Sequence, residues 1–447
     1  EWRRALTAPV GGRVLQMAEV GLGAGAAAPA AGSPLLGTVE VLLELMPPLS
    51  KPLDGAVLRR QLKEEVTRDG ERIAAFGKRA RSWWSAYVAQ DPAFRERLVK
   101  VLAYGEDGVQ RPVCGYVQPL RLGRVLASPR EAAHWVSLLA SKDDQVNAAI
   151  FGGAARPSES WGGLHSVLAA RVASKEERAV LLCSLFLGFG LDAWVAVGRN
   201  LMGGHMWVVT LGGRAAAFWE PSTGERFALD ELPEEDGGGG GAFWGLSADC
   251  LFNHTRLYAN RQPDTAAATT RFHLQDASLW CELRVDPAQE VPGPVPLELR
   301  AAANTLDCGA AEAAMEAELR SALERFRWDA LRVPETTWSG TLSFLLMPAL
   351  AAYEQEMATG QPSESNEEFQ QAIKRAVPAG FVFKGVPKHF THRSGRAAGA
   401  ALLAEHAVQE MLACAGPGTE FGLRARVTPY PDEVVSVWVM LCAKHPA

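Results

Sequence analysis

Hydrophobic and polar positions recur along the chain in three rhythms, and each predicts a different kind of element. Near the start, "RVLQMAEVGL" and "LGTVEVLLELMPPL" carry the alternation of strands. The run between them, "GAGAAAPAAGSP", is made of small residues that cannot build a core. Two such strands do not stand alone in water, so residues 1–50 read as the end of a β-domain. From Asp54 to Ala89 the pattern turns helical and charged, ending in "RSWWSAYV". Trp83, Trp84 and Tyr87 there either pin the helix to a neighbouring domain or serve as ordinary core aromatics.

Between about 98 and 285 the rhythms mix. "SPREAAHWVSLLA" opens as a helix: Ser128 can cap it, Pro129 suits the first helical position, and Glu131 completes a capping-box pattern. In "SKEERAVLLCSLFLGFGLDAW", the helix from Glu176 to Leu187 is apolar on nearly every face, which predicts burial rather than amphipathic docking. "HMWVVTLGGRAAAFWE" has the pattern of a hairpin about a Gly-Gly turn, and "PEEDGGGGGAF" that of a surface insertion. Four prolines from Pro287 to Pro296 mark a linker. Beyond it the chain begins helical ("AAEAAMEAELRSALERFRW") and ends in strands ("GLRARVTPYP", "VVSVWVMLCA"), a separate α+β domain. No internal repeat is present.

Composition sharpens this picture only at its margins. The 447 residues exceed one ordinary core, and 48% hydrophobic with 21% charged residues is the balance of a soluble globular protein of two or three domains. No apolar run reaches membrane-spanning length and no basic-then-apolar signal pattern opens the chain, so no transmembrane segment is expected. The first residue is Glu1 rather than Met, which suggests a portion missing upstream. A net charge of -6 argues against a nucleic-acid partner, and the basic clusters Lys374–Arg375 and Lys388–Arg396 read as solvated surface. The seven cysteines contain no CxxC pair and mostly sit in apolar runs, the pattern of reduced core thiols in an intracellular protein. His389 and His392 form a tight pair without a cysteine or acid at ligand spacing, so neither metal nor cofactor is expected.

Candidate chemistry gathers at the start of the buried helix. A helix N-terminus lowers a thiol's pKa and stabilises an oxyanion, the environment a cysteine acyl-transfer enzyme needs. The first turn here offers Ser174, Lys175, Glu176 and Glu177, and no sulfur. Lys175 cannot replace a thiolate, because an ammonium is disfavoured by the dipole and has no acyl-transfer role of this kind. Cys183 lies farther along, roughly 12 Å down the axis, among Ala179, Leu182, Phe186 and Leu187, and reads as a core thiol. Cys250, close in sequence to His254, is the better outlier. A hairpin centred on Gly212–Gly213 sets Leu211 opposite Arg214, Val209 opposite Ala216, Trp207 opposite Phe218 and His205 opposite Glu220. Opposed residues share a face with Cβ atoms about 5 Å apart. A histidine facing a carboxylate is either the base-and-orienter pair that activates a nucleophile or a chance exposed pair at a hairpin end. The Trp207–Phe218 pair either supports such a site or is ordinary sheet packing.

"AVLLCSLFLGFGLDAWVAVG", "GGHMWVVT" and "AAFWEPSTGERF" follow in the order of a transglutaminase-like (papain-related) core: nucleophile helix, histidine strand, acid strand. With "RSWWSAYV", "CLFNHTRLYANRQPDTA", "FHLQDASLW" and "NEEFQQAIKRAVPAGFVFKGVPKHF", the chain resembles the centrosomal protein of 76 kDa family over almost its whole length, with loop differences at 21–34 and 233–244. The resemblance implies an α+β chain: a truncated C2 β-sandwich remnant at 1–50, a helical connector at 51–97, a transglutaminase-like domain at 98–285, a Pro-rich linker at 286–300 and a C-terminal α+β domain at 301–447. Position by position, His205 matches the family histidine and Glu220 stands where active relatives of the broader fold have an aspartate. The nucleophile position falls on Lys175, where family members can show a "DCEDHA"-like run and this chain has "SKEERA".

The implied function is a non-catalytic scaffold, a pseudoenzyme, of the cytoplasmic cytoskeleton at the centrosome, centriole or cilium basal body. It implies involvement in centriole duplication control and ciliary structure, with centriolar proteins as partners. The vacated cleft is expected to bind peptides through Lys175, His205, Trp207 and Glu220, with acidic segments such as glutamate-rich tubulin tails as candidates. Equally open is a Lys175 that points to solvent or pairs with Glu176 or Glu177. The competing reading is an active cysteine protease or transglutaminase using Cys250 or Cys183. A calcium-dependent membrane-binding C2 protein is weaker, because the strands present carry no aspartate-rich loop.

Overall fold

The computed structural model describes strands 14–18 and 39–43 and residues 54–447, apart from 107, 124, 143–159, 213–214, 229–244, 286–298, 300–305, 334 and 362–364. The small-residue loop at 21–34, the insertion at 233–244 and all but Leu299 of the Pro-rich linker lie outside the described residues. The two strands expected near the start, β1 (Val14–Ala18) and β2 (Val39–Leu43), pair antiparallel.

Helix α1 (Gly55–Val88) starts at Asp54, whose side chain accepts from the Ala56 N–H. Its buried residues, Phe76, Gly77, Ala80 and Tyr87, all lie in its second half. Tyr87 stacks on Phe94 at 4.7 Å and on Trp83 at 5.9 Å, and its hydroxyl donates to the Asn260 carbonyl. Trp83 Nε1 donates to the Glu282 carbonyl at 2.9 Å. The aromatic run therefore pins this helix to a sheet far away in sequence.

Short strands β3 (Leu102–Gly105) and β4 (Gln110–Pro112) precede α2 (Pro129–Ser137). Ser128 caps α2 by accepting from the Glu131 N–H at 3.1 Å, while Glu131 reaches one residue past the cap to the Ala127 N–H at 2.6 Å. Then follow β5 (Ala140–Ser141), β6 (Ser160–Trp161), α3 (Leu164–Ala170), β7 (Val172–Ala173) and α4 (Lys175–Gly188). Next come β8 (Asp192–Asn200), β9 (Gly203–Gly212), β10 (Ala215–Trp219), β11 (Arg226–Ala228), β12 (Cys250–Phe252), β13 (Arg256–Asn260) and β14 (Trp280–Arg284). They form a seven-stranded antiparallel sheet in the order β11-β10-β9-β8-β12-β13-β14.

The apolar runs in β8 and β9 are continuous rather than alternating because both faces of this sheet are covered. Val195, Val197, Met206 and Val208 pack under α4, whereas Trp194, Ala196, Trp207 and Val209 pack with Tyr258 and Trp280 on the other face. Helix α4 is apolar all round because it is enclosed on its far side too. The Leu120 N–H donates to the Ser184 carbonyl at 3.0 Å, and a Cβ at Gly188 would stand 1.9 Å from the Leu120 carbonyl oxygen. Only glycine permits that approach.

The C-terminal part contains α5 (Cys308–Asp329), α6 (Gly340–Thr359), α7 (Ser365–Ala376), β15 (Phe381–Phe390), α8 (Gly395–Ala404), α9 (His406–Ala413), β16 (Glu420–Pro429) and β17 (Val435–Pro446). Its sheet has the order β15-β17-β16, and Leu319, Leu323, Val437, Val439 and Leu441 share a separate core. The chain is thus α+β, with helix and sheet in both parts.

The two cores are joined by buried polar groups. Glu354 on α6 accepts from His134 Nε2 of α2 at 2.9 Å, from the Tyr430 hydroxyl at 2.5 Å, from Trp438 Nε1 at 2.8 Å and from the Ser436 hydroxyl. Trp135 Nε1 donates to the Pro431 carbonyl at 3.1 Å, and at the surface the exposed Arg171 pairs with Glu433 at 2.8 Å. His389 is bonded to the Ser436 hydroxyl at 2.9 Å, and His392 Nδ1 accepts from the Ser394 N–H at 3.2 Å, so each histidine of the tight pair serves a local hydrogen bond. Among the described residues no cluster of three or more His, Cys, Asp or Glu could hold a metal ion, and no helix is long and apolar enough to cross a membrane.

Candidate functional site

The start of α4 is a complete capping box. The Ser174 hydroxyl accepts from the Glu177 N–H at 3.2 Å, and Glu177 Oε2 accepts from the Ser174 N–H at 2.8 Å. Glu177 is 1% exposed, and its other oxygen accepts from Lys142 Nζ at 2.6 Å and from the Gly162 N–H. The cap therefore engages the N–H groups of Ser174 and Glu177, and two acidic side chains, Glu176 and Glu177, already complement the positive end of the helix.

Lys175, at the first helical position, is exposed. Its neighbour Glu176 is the α4 residue that lines a cleft of about 440 Å³ at the end of the sheet. Residues 98–102 form one wall, with Lys100 as their charged member, and Val197, Gly204, His205 and Met206 contribute from β8 and β9. Among the described residues the lining contains neither a cysteine nor any residue of the C-terminal part.

His205 Nε2 meets Glu220 Oε2 at 2.7 Å, with the two side chains 10% and 17% exposed. The other Glu220 oxygen accepts from the Ser222 N–H at 3.1 Å. Burial pushes the Glu220 carboxyl up, but the hydrogen bond and charge of His205, together with Ser222, outweigh it and hold the carboxyl below its usual range. The carboxylate thus holds Nε2 of the imidazole and leaves Nδ1 as the nitrogen that would face a nucleophile. Geometry supplies a base and its orienter.

The pairing differs in register from the expected hairpin. Phe218 pairs with Val209 and Trp219 with Val208, so Trp207 is not opposite Phe218, nor His205 opposite Glu220. The slip is by an even number of residues, which keeps every side chain on its face and makes both contacts diagonal. Trp207 and Phe218 still meet edge-to-face at 4.9 Å. Trp207 is 1% exposed because the second covering layer, including Trp280, lies on that face. It belongs to the core and is not available to a peptide, contrary to expectation. Glu220 approaches the cleft through His205, and Lys175 stands outside its lining, so the groove is not framed by Lys175 and His205 alone.

Cys183 and Cys250 are both fully buried, and burial pushes both thiols far above their ordinary range. Cys250 pairs across the sheet with Val197 and Ala259, and among the described residues it makes no hydrogen bond to His254. Sequence reasoning missed the wall at 98–102 and the Lys142–Glu177 ion pair. The capping box itself was legible in the Ser-x-x-Glu spacing of "SKEE".

A family model described as the CEP76 peptidase-like domain matches residues 159–283, and one described as the centrosomal protein of 76 kDa C-terminal domain matches residues 304–446. The mouse centrosomal protein of 76 kDa is 36% identical over 462 residues, covering 100% of this chain and 67% of its own length. The chain belongs to the centrosomal protein of 76 kDa family. The human relative is 36% identical over 457 residues with the same coverage, and that of Xenopus laevis 37% over 421 residues, 92% of this chain and 62% of its own. In this member of the centrosomal protein of 76 kDa family the peptidase-like match contains α4, His205 and Glu220, whereas the cleft wall at 98–102 precedes it.

Proposed function

We propose that this chain is a non-catalytic centrosomal scaffold whose peptidase-like domain is a transglutaminase-like frame without a nucleophile. The observation that carries the reading is the first turn of α4. It contributes Glu176 to the lining that also holds His205 and leaves Lys175 exposed outside it, where acyl transfer needs a thiolate. His205 and Glu220 then have no thiol to activate. The relatives are named as centrosomal proteins, which supports placement at the centrosome or centriole. Centriolar proteins as partners, a part in centriole duplication control and ciliary structure, and a C2-like domain ending at β2 belong to the same reading. So does the division at 51–97, 98–285, 286–300 and 301–447. The test is an amide-hydrolysis and transamidation assay on the wild type and His205→Ala: both are expected at the buffer rate, and a rate that falls on substitution overturns the scaffold reading.

The cleft, open and walled by apolar side chains, keeps the shape of a peptide site. An acidic segment such as a glutamate-rich tubulin tail would meet Lys100 and His205 inside and Lys175 nearby, against the carboxylates of Glu176 in the lining and Glu220 behind His205. Titration of a glutamate-rich peptide should show Lys100→Glu weakening binding by about tenfold and Lys175→Glu by about twofold or less. Equal affinity of the wild type and Lys100→Glu removes an acidic ligand from this cleft.

A further inference from the structure

The two edges of the C-terminal sheet are treated in opposite ways. Along β16, the outward N–H groups are occupied: Phe421 donates to the Thr337 carbonyl at 2.9 Å, Leu423 to Ser343 Oγ at 3.2 Å, Ala425 to Glu316 Oε1 at 3.1 Å and Val427 to Glu312 Oε1 at 2.9 Å. The Thr337 carbonyl and side chains of α5 and α6 thus close that edge. The opposite edge is β15. The Ala447 N–H donates to the Gly380 carbonyl at 2.9 Å, which turns the even-numbered residues of the register toward β17 and the odd-numbered ones outward. Pro387, which has no N–H, falls on an outward position, as a strand proline must. The Phe381 N–H closes a turn onto the Pro378 carbonyl at 3.1 Å. For the outward N–H groups of Phe383 and Gly385 no acceptor exists among the described residues, and Gly385 and Pro387 are exposed.

This edge is also cationic in an acidic protein. From Lys374 to Ala404 the chain contains no Asp or Glu but carries Lys374, Arg375, Lys384, Lys388, Arg393 and Arg396, against a net charge of -6 overall. Lys388 is paired with Glu405, whereas Lys374, Arg375, Lys384 and Arg393 have no carboxylate partner among the described residues. Lys374 and Arg375 precede the strand, Lys384 lies within it and Arg393 follows it. A second copy of β15 would bring like charges together, and Pro387 interrupts self-pairing, so the edge is guarded against its own kind.

We propose that the Phe383–Pro387 edge of β15 receives an extended acidic segment of a partner protein as a fourth strand. Backbone donors at Phe383 and Gly385 and the carbonyls of Phe383, Gly385 and Pro387 supply the ladder, and the flanking cations select the charge. This site is separate from the cleft and independent of the reading proposed for it. The probe is an acetylated peptide of alternating glutamate and valine, compared with one N-methylated on every residue that would face β15, at unchanged charge. With the whole chain, the parent peptide is expected to bind and to slow amide hydrogen exchange at Phe383 and Gly385. N-methylation should weaken it by about tenfold or more, and Lys384→Glu by about threefold. Absence of binding, equal affinity of the two peptides, or unchanged exchange at both amides under saturation overturns the proposal.

Discussion

Glu354→Ala is expected to destabilise the protein by roughly 3–5 kcal/mol, read as a lower urea midpoint for the transition that reports both cores. Glu354 is 6% exposed and accepts from four side chains, His134, Tyr430, Ser436 and Trp438. Removing the carboxylate leaves these donors buried without an acceptor, and the penalty of unmade bonds exceeds the net value of the bonds themselves. Because His134 lies on α2 and the remaining donors belong to the C-terminal part, the loss should fall on the contact between the parts. Glu354→Gln keeps one acceptor oxygen and should cost about half as much. A change below about 1 kcal/mol for the alanine variant would mean that the interface does not depend on this carboxylate.

Acid should weaken the same interface in two successive windows. Burial lowers the His389 imidazole from 6.5 to about 4, opposed by the Glu354 charge and aided by that of His134. Burial raises Glu354, but hydrogen bonds and charge from His134, with Ser436 and Tyr430, outweigh it and bring the carboxyl from 4.5 down to about 2. Tyr430 is itself held above its ordinary range by burial, by Glu354 and by Glu131 on α2. The folded state keeps His389 neutral, so stability present above the unfolded value falls as the unfolded chain takes up a proton between 6.5 and about 4. Glu354 is charged in the fold, so its contribution is present above 4.5 and is lost as pH falls toward about 2. Each window carries roughly 3 kcal/mol, both in the same direction. Urea unfolding between about pH 7 and pH 3 should show midpoints falling throughout, and His389→Gln should flatten the upper window. Stability that is flat or rising on acidification would contradict this.

Local signals in the sequence were read well where one short segment determines the outcome. Ser128 caps its helix as the spacing predicts, and the all-apolar run of α4 is buried. The His205–Glu220 contact was found through a wrong register, and it survived because an even slip preserves faces. The residue turned toward the cleft was not legible. Lys175 and Glu176 are adjacent, and on a helix adjacent residues point about 100° apart, so counting back from Gly190 cannot decide between them. The interdomain network was invisible for a different reason. Glu354 stands in "AAYEQEM", which reads as a solvated helix face, and its partner His134 is 220 residues away in sequence. A buried carboxylate is identified only by the donors around it, and these come from three separate places in the chain: α2, Tyr430 after β16, and β17. Trp207 was misjudged because alternation gives a face but not whether a second layer covers it.

The absence of a usable thiol at the imidazole is tested most directly by labelling the folded protein with an active-site electrophile from about pH 6 to pH 9, resolved for each cysteine by mass spectrometry. Cys183 and Cys250 are expected to remain unmodified until the protein is denatured, and His205→Ala to change nothing. Stoichiometric modification of either in the folded state, lost in His205→Ala, would show a working thiol–imidazole pair and contradict the scaffold account.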